Sequence, residues 1–445
     1  MPQYSPERRT ALVLCGTGVH GAYHAGVLRA LQEAGVKIDI MAGQGVGAAG
    51  ATLAAIDGSP RLFDADGLWR SATTAQLYRW TWPVRAAAWL ALVPVPLLCV
   101  ALVAAPYIPL TITRVAIGVW GALVAALVAA MVIAERRNPS RRRATGSWWW
   151  RVAGAPLDGQ AARDLFVGAV WTLIHGAAPV ASPSAAAAGR RYAEVLADGL
   201  GQPGFRELMV IATDVDTRRD VIAAMLREPY RQEFLAARPG HERRADVLDL
   251  AGAGRDHALD LMAAALTPPV GCDPQLVTFA HDSFWRGETH RMCDRPGAVS
   301  RLLEELAIAG ATQAIIVSAV PRGSAPHRLR PARLDVRHRI GDHLATSEAA
   351  SLRDAMEMAR LRFDSVYLIS PAHNPLGAFD VGGAYDEASD RHQSVAELID
   401  RAYEDAYHQF IEPVVGASGE YLAVTEAEPR SPAEPRIFGD LEPGR

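Results

Sequence analysis

The sequence predicts an α/β fold with a mainly parallel central sheet and, inserted into it, a transmembrane helical hairpin. Residues 11–15 form an apolar run typical of a buried strand, and a glycine-rich turn, residues 16–21, follows directly. Residues 22–34 carry apolar side chains at helical spacing, and residues 38–41 form a second short strand. A strand, a glycine loop, a helix and another strand make a βαβ unit, whose two strands lie parallel in one sheet.

The composition excludes several classes of function. The chain has 445 residues, 50% of them apolar, which is enough to bury a large core. Its net charge of -4 and its pI of about 6.4 give no sign of nucleic-acid binding. The polar residues 1–10 lead into the first strand, so we expect no cleaved signal peptide. The wide spacing of the cysteines indicates a reducing compartment, no metal centre and no cofactor. These cysteines are Cys15, Cys99, Cys272 and Cys293.

Two glycine motifs lie in the βαβ unit. Gly16, Gly18 and Gly21 match the dinucleotide fingerprint GxGxxG, in which small residues admit a phosphate to backbone N–H groups. Residues 43–47 have the spacing of a nucleophile elbow, G-x-S-x-G, with Gly45 at the central position. Tight packing between strand and helix is a further explanation of both motifs. A dinucleotide site expects an acidic residue after the second strand, and residues 40–43 contain none.

With these motifs the chain resembles the patatin-like phospholipase family. The resemblance implies a three-layer patatin-like fold and lipid acyl hydrolysis as the family activity. In that family the first glycine loop supplies oxyanion N–H donors, and the elbow supplies a serine that works in a dyad with an aspartate. The segments in family register are residues 12–14, 16–23, 26–28, 35–36 and 42–47, with further likeness at 209–217 and 263–270.

Carried onto this chain, the resemblance makes Gly16, Gly18 and Val19 the oxyanion-loop residues. It makes Gly45 a vacant nucleophile position, because glycine has no side chain to attack a carbonyl. Removing the nucleophile of a hydrolytic centre costs on the order of a millionfold in turnover. We therefore expect no dyad catalysis. His20 lies in the same loop, where the family usually has arginine, and a structural role for it is favoured.

The family aspartate comes from a D-G-G or D-G-A turn, and two segments compete for its place. The better candidate is residues 284–288, which puts Arg286 at the acid position. The rival register, residues 379–383, puts Val381 there and displaces Asp380 by one residue, which turns a strand side chain to the opposite face. The sequence thus predicts a vacant acid position as well.

Two charge-free apolar runs, residues 86–110 and 115–134, predict the transmembrane hairpin, because each reaches the roughly 20 residues that cross a bilayer. Arginines flank the pair on both outer sides, whereas the short middle loop holds only Arg114. The positive-inside rule then predicts a two-pass protein with both outer ends cytoplasmic, in the cytoplasmic membrane of a bacterium. A buried helical hairpin in a soluble protein is the alternative.

The flank after the hairpin offers a lipid-binding site. Arg141, Arg142 and Arg143 are expected to contact anionic lipid, at about 1 kcal/mol for each residue near the surface. A second basic segment, residues 321–339, is interpreted as a solvated loop. The expected partners are membrane lipids, with no nucleic acid and with any protein partner unidentified.

The predicted organisation has four parts. Residues 1–80 form the first part of the patatin-like domain, and residues 81–150 form the hairpin with its basic flank. Residues 151–415 complete the domain, and residues 416–445 form a C-terminal tail. Among the histidines, His281 and His290 lie near Cys293 without zinc-site spacing, so ordinary histidines are favoured there.

Three functions follow from these observations. The first is a membrane-anchored patatin-like protein, catalytically degenerate, that acts in lipid binding, sensing or as a scaffold. The second is an active lipid acyl hydrolase with a relocated or replaced nucleophile. The third is a dinucleotide-binding protein.

Overall fold

The central sheet is mainly parallel, as predicted. The computed structural model describes residues 4–92, 94, 110–137, 154–176, 183–236, 243–281, 283, 285–321 and 335–416. Within these residues nine strands form one sheet and two more form a small separate hairpin. The strands are β1 (Thr10–Gly16), β2 (Ile40–Gly45), β3 (Glu207–Asp214), β4 (Arg219–Met225), β5 (Ala245–Asp249), β6 (Gln275–Thr278), β7 (Thr289–Cys293), β8 (Gln313–Ser318), β9 (Ser365–Ile369), β10 (Ala384–Asp386) and β11 (Arg391–Gln393).

The sheet order is β5-β4-β3-β2-β1-β8-β9. The central strand β1 lies parallel to both β2 and β8, and the parallel arrangement continues to β3 on one side and β9 on the other. β4 and the hairpin β6–β7 join β3 in antiparallel fashion. Because β1, β2, β3 and β8 run in one direction, their carboxyl ends meet at one edge, where open α/β sheets place their ligands.

Helices pack on both faces of the sheet, so the described domain has three layers. On β1, Leu12 and Leu14 face a core shared with one set of helices, whereas Val13 and Cys15 face a second core. The helices are α1 (Gly21–Glu33), α2 (Val46–Ala54), α3 (Pro60–Phe63), α4 (Trp82–Leu92), α5 (Leu110–Arg137), α6 (Gln160–Ile174), α7 (Ala185–Gly199), α8 (Tyr230–Leu235), α9 (Ala258–Ala265), α10 (Val299–Ile308), α11 (Val336–Arg362) and α12 (Val395–Ala406), and a π-helical segment, Tyr407–Gly416, follows α12.

Several boundaries differ from the sequence prediction. β2 extends to Gly45 rather than to residue 41, because its ladder with β1 continues to the pair Gly16 and Gly45. α11 begins at Val336, inside the segment interpreted as a basic loop, where the carboxylate of Asp335 caps the helix by accepting from His338 N–H. The sequence pattern missed the edge strand β5 and the hairpin β6–β7, since short strands with charged residues lack a clear period.

One described helix has the length and composition to cross a bilayer, Arg114–Ile133 within α5. None of that window is buried, and Val115 and Ile117 are each 65% exposed. α5 packs against α4, and the indole of Trp120 donates to the carbonyl of Leu90 at 3.0 Å. Helix α5 is thus not the core helix of a buried hairpin.

Several predicted features fall outside the described residues. These are most of the first apolar run, the arginines Arg141, Arg142 and Arg143, most of the basic segment 321–339 and the tail after residue 416. The two-pass topology and the contact of the arginines with lipid stay predictions.

The closest approach of two helices in the core occurs at Gly26, where α1 packs along α12. A Cβ atom at this position would lie 2.0 Å from the carbonyl oxygen of Ile399. We expect Gly26→Ala to lower the free energy of unfolding by about 1–3 kcal/mol, because the two backbones must separate. Chemical unfolding in detergent measures this change.

Gly168 in α6 is the matched control, since nothing lies within 4 Å of a Cβ atom built there. Gly168→Ala should leave the stability unchanged or raise it by up to about 1 kcal/mol through helix propensity. Equal effects of the two alanines would contradict the close packing at Gly26.

Candidate functional site

The turn at Gly45 has the backbone conformation of a nucleophile elbow, with glycine at the position of the serine. Gly45 is the last residue of β2 and precedes the first turn of α2, with φ 62° and ψ -132°. Residues with side chains rarely adopt this conformation, which is characteristic of strained strand-to-helix turns that expose a nucleophile. The elbow geometry is therefore present, and glycine occupies its apex at no conformational cost.

The space for a side chain at this apex is closed. A Cβ atom at Gly45 would lie 2.1 Å from the carbonyl oxygen of Gly16, the residue that pairs with it across β1 and β2. A backbone atom blocks the position, so a side chain enters only if the end of β1 moves. The Gly16 carbonyl therefore occupies the space that a side chain at position 45 would need.

A carboxylate lies beside Gly45, and it belongs to Asp294. Its Oδ2 is 3.2 Å from the position of a Cβ atom at Gly45, and its Oδ1 accepts a hydrogen bond of 2.6 Å from the side-chain amide of Gln44. Burial raises the pKa of Asp294 to about 7, and the hydrogen bond from Gln44 opposes that shift. Asp294 directly follows β7, which the antiparallel pairing with β3 brings to the carboxyl edge of the sheet.

The structure places Asp294 beside Gly45, whereas the sequence analysis put Arg286 at the acid position. Arg286 lies in the connection between β6 and β7, with a φ of 49°, and lines an open cavity of about 510 Å³ together with Trp285 and His290. The acid beside the elbow escaped the sequence analysis because Arg295 and Pro296 follow it, not the two small residues of the family turn. The end of strand β7 was the available signal, and that strand was not predicted.

The oxyanion loop is present but one of its donors is already in use. The backbone N–H of Val19 donates a hydrogen bond of 2.9 Å to the carbonyl oxygen of Ala378. That same oxygen lies 1.8 Å from the position of a Cβ atom at Gly18, whose φ is 62°. Only glycine at position 18 allows this approach. A carbonyl of the chain itself therefore occupies the place where an acyl oxygen would bind.

Ala378 belongs to a segment that we name the plug loop, residues 371–383, which includes the rival register of the sequence analysis. The ring of Phe379 packs on Tyr78 with 5.3 Å between ring centroids, and Arg337 donates to the carbonyl oxygen of Phe379. The carboxylate of Asp380 lies 2.8 Å from Nε2 of His338. Asp380 thus anchors the plug loop to α11.

The remaining polar groups around the elbow are buried and carry little charge near neutral pH. Burial lowers the pKa of His20 and of His24 to about 4, so both imidazoles are neutral. Burial raises the pKa of Glu348 to about 8, while a hydrogen bond from Ser318 opposes the shift. The Nδ1 atom of His20 lies 4.0 Å from Oε2 of Glu348. Near neutral pH the site thus holds two neutral imidazoles and a largely protonated Glu348, whereas Asp294, with a pKa of about 7, is half ionised.

The structure offers no support for two other readings of these residues. Burial raises the pKa of the Cys15 thiol well above its ordinary value, so Cys15 lacks the thiolate that a nucleophile needs. A dinucleotide would need an open α1 N-terminus, but residues 16–28 are buried there. At Gly21 a Cβ atom would meet the Trp69 ring at 2.2 Å.

The buried acids make the stability depend on pH. A folded-state pKa of about 8 for Glu348 lies above that of an unfolded glutamate, so the folded state keeps a proton that the unfolded state releases. The stabilisation is complete below the unfolded pKa and is lost as pH rises through 8. We expect the proton on Glu348 to make the free energy of unfolding fall by on the order of 1 kcal/mol between pH 7 and pH 8.

Unfolding of the detergent-solubilised protein at pH 7 and pH 8 tests this dependence. Glu348→Gln should flatten the decrease, because glutamine has no proton to release, whereas Glu412→Gln on the exposed π-helical segment should leave it unchanged. An identical decrease in the parent and Glu348→Gln would show that Glu348 does not titrate in this window.

Comparison with known proteins places the elbow in a family. Residues 12–95 match the family model of patatin-like phospholipases, a range that contains β1, the oxyanion loop and the elbow. A comparison with curated protein sequences gave no match.

Two solved structures align with this chain at low identity. VipD from Legionella pneumophila is 12% identical with a TM-score of 0.31, and the alignment covers 93% of this chain and 68% of VipD. The type III effector protein ExoU is 14% identical with a TM-score of 0.24, and the alignment covers 95% of this chain and 62% of ExoU. The chain therefore spans about two thirds of each of these proteins. Through β1, the glycine loop and the elbow, residues 12–95 are thus the part of this chain that is similar to patatin-like phospholipases.

Proposed function

We propose that this protein is a catalytically silent patatin-like protein, anchored to a membrane, that binds lipid through the former acyl site instead of hydrolysing it. The observation that carries the proposal is the state of the elbow. Gly45 provides no nucleophile, and the Gly16 carbonyl closes the space in which one would lie. Without a nucleophile, the acid of Asp294 and the remaining loop have no acyl group to transfer.

The plug loop supports the loss of catalysis independently. An oxyanion hole accelerates acyl transfer because its N–H donors wait unoccupied for the developing negative charge. The N–H of Val19 instead donates to Ala378, so this donor is not available to an oxyanion. An acyl chain that enters this site has to displace Phe379, which fills the neighbouring apolar space against Tyr78.

The membrane part of the proposal rests on α4 and α5. Trp82, Trp89 and Leu92 of α4 are exposed, as is the apolar surface of α5. Exposed apolar surface of this extent marks an interaction site, and the length of the Arg114–Ile133 window suits a bilayer. Lipid is thus the partner we assign to this surface.

An active hydrolase with a relocated nucleophile is the second candidate, and one contact favours it. Ser318 at the end of β8 donates a hydrogen bond of 3.1 Å to the carboxyl group of Glu348, as a serine would to a general base. Both side chains are almost completely buried, at 0% and 1% exposure, so a substrate reaches them only after the plug loop moves. Loss of any hydrolysis in Ser318→Ala would establish this candidate.

Restoring the family serine is the direct test of the silent site. We expect Gly45→Ser to show no phospholipid or p-nitrophenyl ester hydrolysis and to lose about 1–3 kcal/mol of stability, because its Cβ atom meets the Gly16 carbonyl. Ester turnover and thermal unfolding in detergent measure the two effects.

Gly168→Ser controls for the substitution itself, since that position has open space around it. The parent should show no more turnover than Asp294→Asn. Parent turnover above that of Asp294→Asn and Ser318→Ala would overturn the proposal. Turnover in a stable Gly45→Ser protein would show that the site is open rather than closed.

Charged substitutions test the membrane anchor. The double variant Val119→Lys and Leu123→Lys places two charges in the middle of the candidate span, at a cost of about 2.5–3.5 kcal/mol each in the bilayer. We expect it to shift the protein from the membrane to the soluble fraction after cell lysis, as followed by flotation with liposomes.

Leu361→Lys provides the matched control, because Leu361 is an 88% exposed leucine near the end of α11, on the soluble domain. This control should float with liposomes like the parent. Retention of the double lysine variant in the membrane would contradict the assignment of α5 as an anchor.

A further inference from the structure

A second polar site lies away from the elbow, around His290 in β7. The ring of His290 is 6% exposed and its Nδ1 lies 2.6 Å from Oδ2 of Asp214. Asp214 also accepts bonds from the backbone N–H groups of Asp216 and Thr217 and from the Thr217 hydroxyl. With these donors around it, Asp214 acts as the acceptor of its bond with His290, so the neutral imidazole that donates from Nδ1–H presents the lone pair of Nε2 on its other side.

The Nε2 atom of His290 has no hydrogen-bond donor in the described residues, although it is buried. Its nearest charged neighbour is Oε2 of Glu288, at 3.3 Å. A lone pair and a carboxylate oxygen repel each other when they face without a proton or another cation between them. A buried acceptor without a partner is costly, so the pair calls for a positive charge.

The separation of the two atoms fits a metal ion. Two ligands of a tetrahedral zinc ion lie about 3.3 Å apart when the metal–ligand distances are about 2.0–2.1 Å. Zinc accepts imidazole nitrogen together with carboxylate oxygen, and a ligating histidine usually donates its other ring N–H to a carboxylate, as His290 does to Asp214. We infer that His290 Nε2 and Glu288 bind Zn²⁺, with Asp214 as the residue that orients the imidazole.

The neighbouring acids do not hold the ion themselves. Asp214, Asp216 and His290 have ligand atoms within 4.8 Å of one another. Asp216, however, is neutralised by Arg291, which donates from both its side chain and its backbone. The ion is placed on the other side of the imidazole, at Nε2, where Glu288, the residue before β7, brings its carboxylate within 3.3 Å.

The surroundings leave room for further ligands. His290 and Glu288 line the cavity of about 510 Å³ that also contains Arg286, Thr217 and Asp246. Two protein ligands leave the remaining zinc positions to water, which is the open arrangement of an accessible site rather than of a closed structural one. This site lies outside the elbow, so the inference does not depend on the loss of hydrolase activity.

The experiment is a calorimetric titration of the full chain in detergent with ZnCl₂ at pH 7.5, after treatment with a chelator. We expect binding of one ion, weakened at least tenfold in His290→Gln and in Glu288→Gln. Asp214→Asn should weaken it about 10–100-fold, as loss of an orienting partner does. Glu288 is 71% exposed, so its variant keeps the test valid if His290→Gln fails to fold.

His408→Gln is the matched control, because His408 is an exposed histidine on the π-helical segment whose Nδ1 pairs with Glu412 at 3.2 Å. It should bind zinc like the parent. No binding by the parent, or equal binding by the parent and both Glu288→Gln and His290→Gln, would overturn the inference and leave an imidazolium that bonds to both carboxylates.

Discussion

The parallel pairing of β1 with β2 is the constraint on which the site depends. It sets the last residue of one glycine turn, Gly16, opposite the apex of the other, Gly45. In this register the Gly16 carbonyl points into the space of a side chain at the elbow, and the strain of the elbow falls on a residue that tolerates it. This backbone contact excludes a side chain at position 45. A substitution that adds one there requires the end of the central strand β1 to move.

The elbow is surrounded by buried polar groups that hydrogen-bond within the chain. His24 bonds through Nε2 to the carbonyl of Cys15, Gln44 bonds to Asp294, and Ser318 bonds to Glu348. These hydrogen bonds satisfy groups whose isolated charges would cost several kcal/mol each when buried. In the proposed function, they hold the packing of this edge of the sheet rather than take part in acyl transfer.

The sequence predicted the parts of this molecule that local patterns encode. The apolar run of β1, the helical spacing of α1 and the two glycine turns each have a short-range signal, and the structure confirms the sheet they form. Asp294 and Ala378 have no such signal, because strand pairing or loop folding brings each to the elbow from far along the chain. The turn motif led the sequence analysis to Arg286 for the acid position. The pairing of β7 with β3 instead brings Asp294 beside Gly45.

The plug loop connects the elbow to the helices assigned to the membrane. Tyr78 packs on Phe379 and donates to the carbonyl of Leu266, and two residues later Trp80 pairs with Leu157 at the base of α4. Backbone bonds from Thr81 to Pro156 and from Leu157 to Gly271 fix that base to the domain. In the proposed function, an acyl chain that enters the site separates Phe379 from Tyr78. Displacing Phe379 would withdraw the neighbouring Ala378 carbonyl from Val19, so lipid entry and release of the oxyanion donor would be one movement.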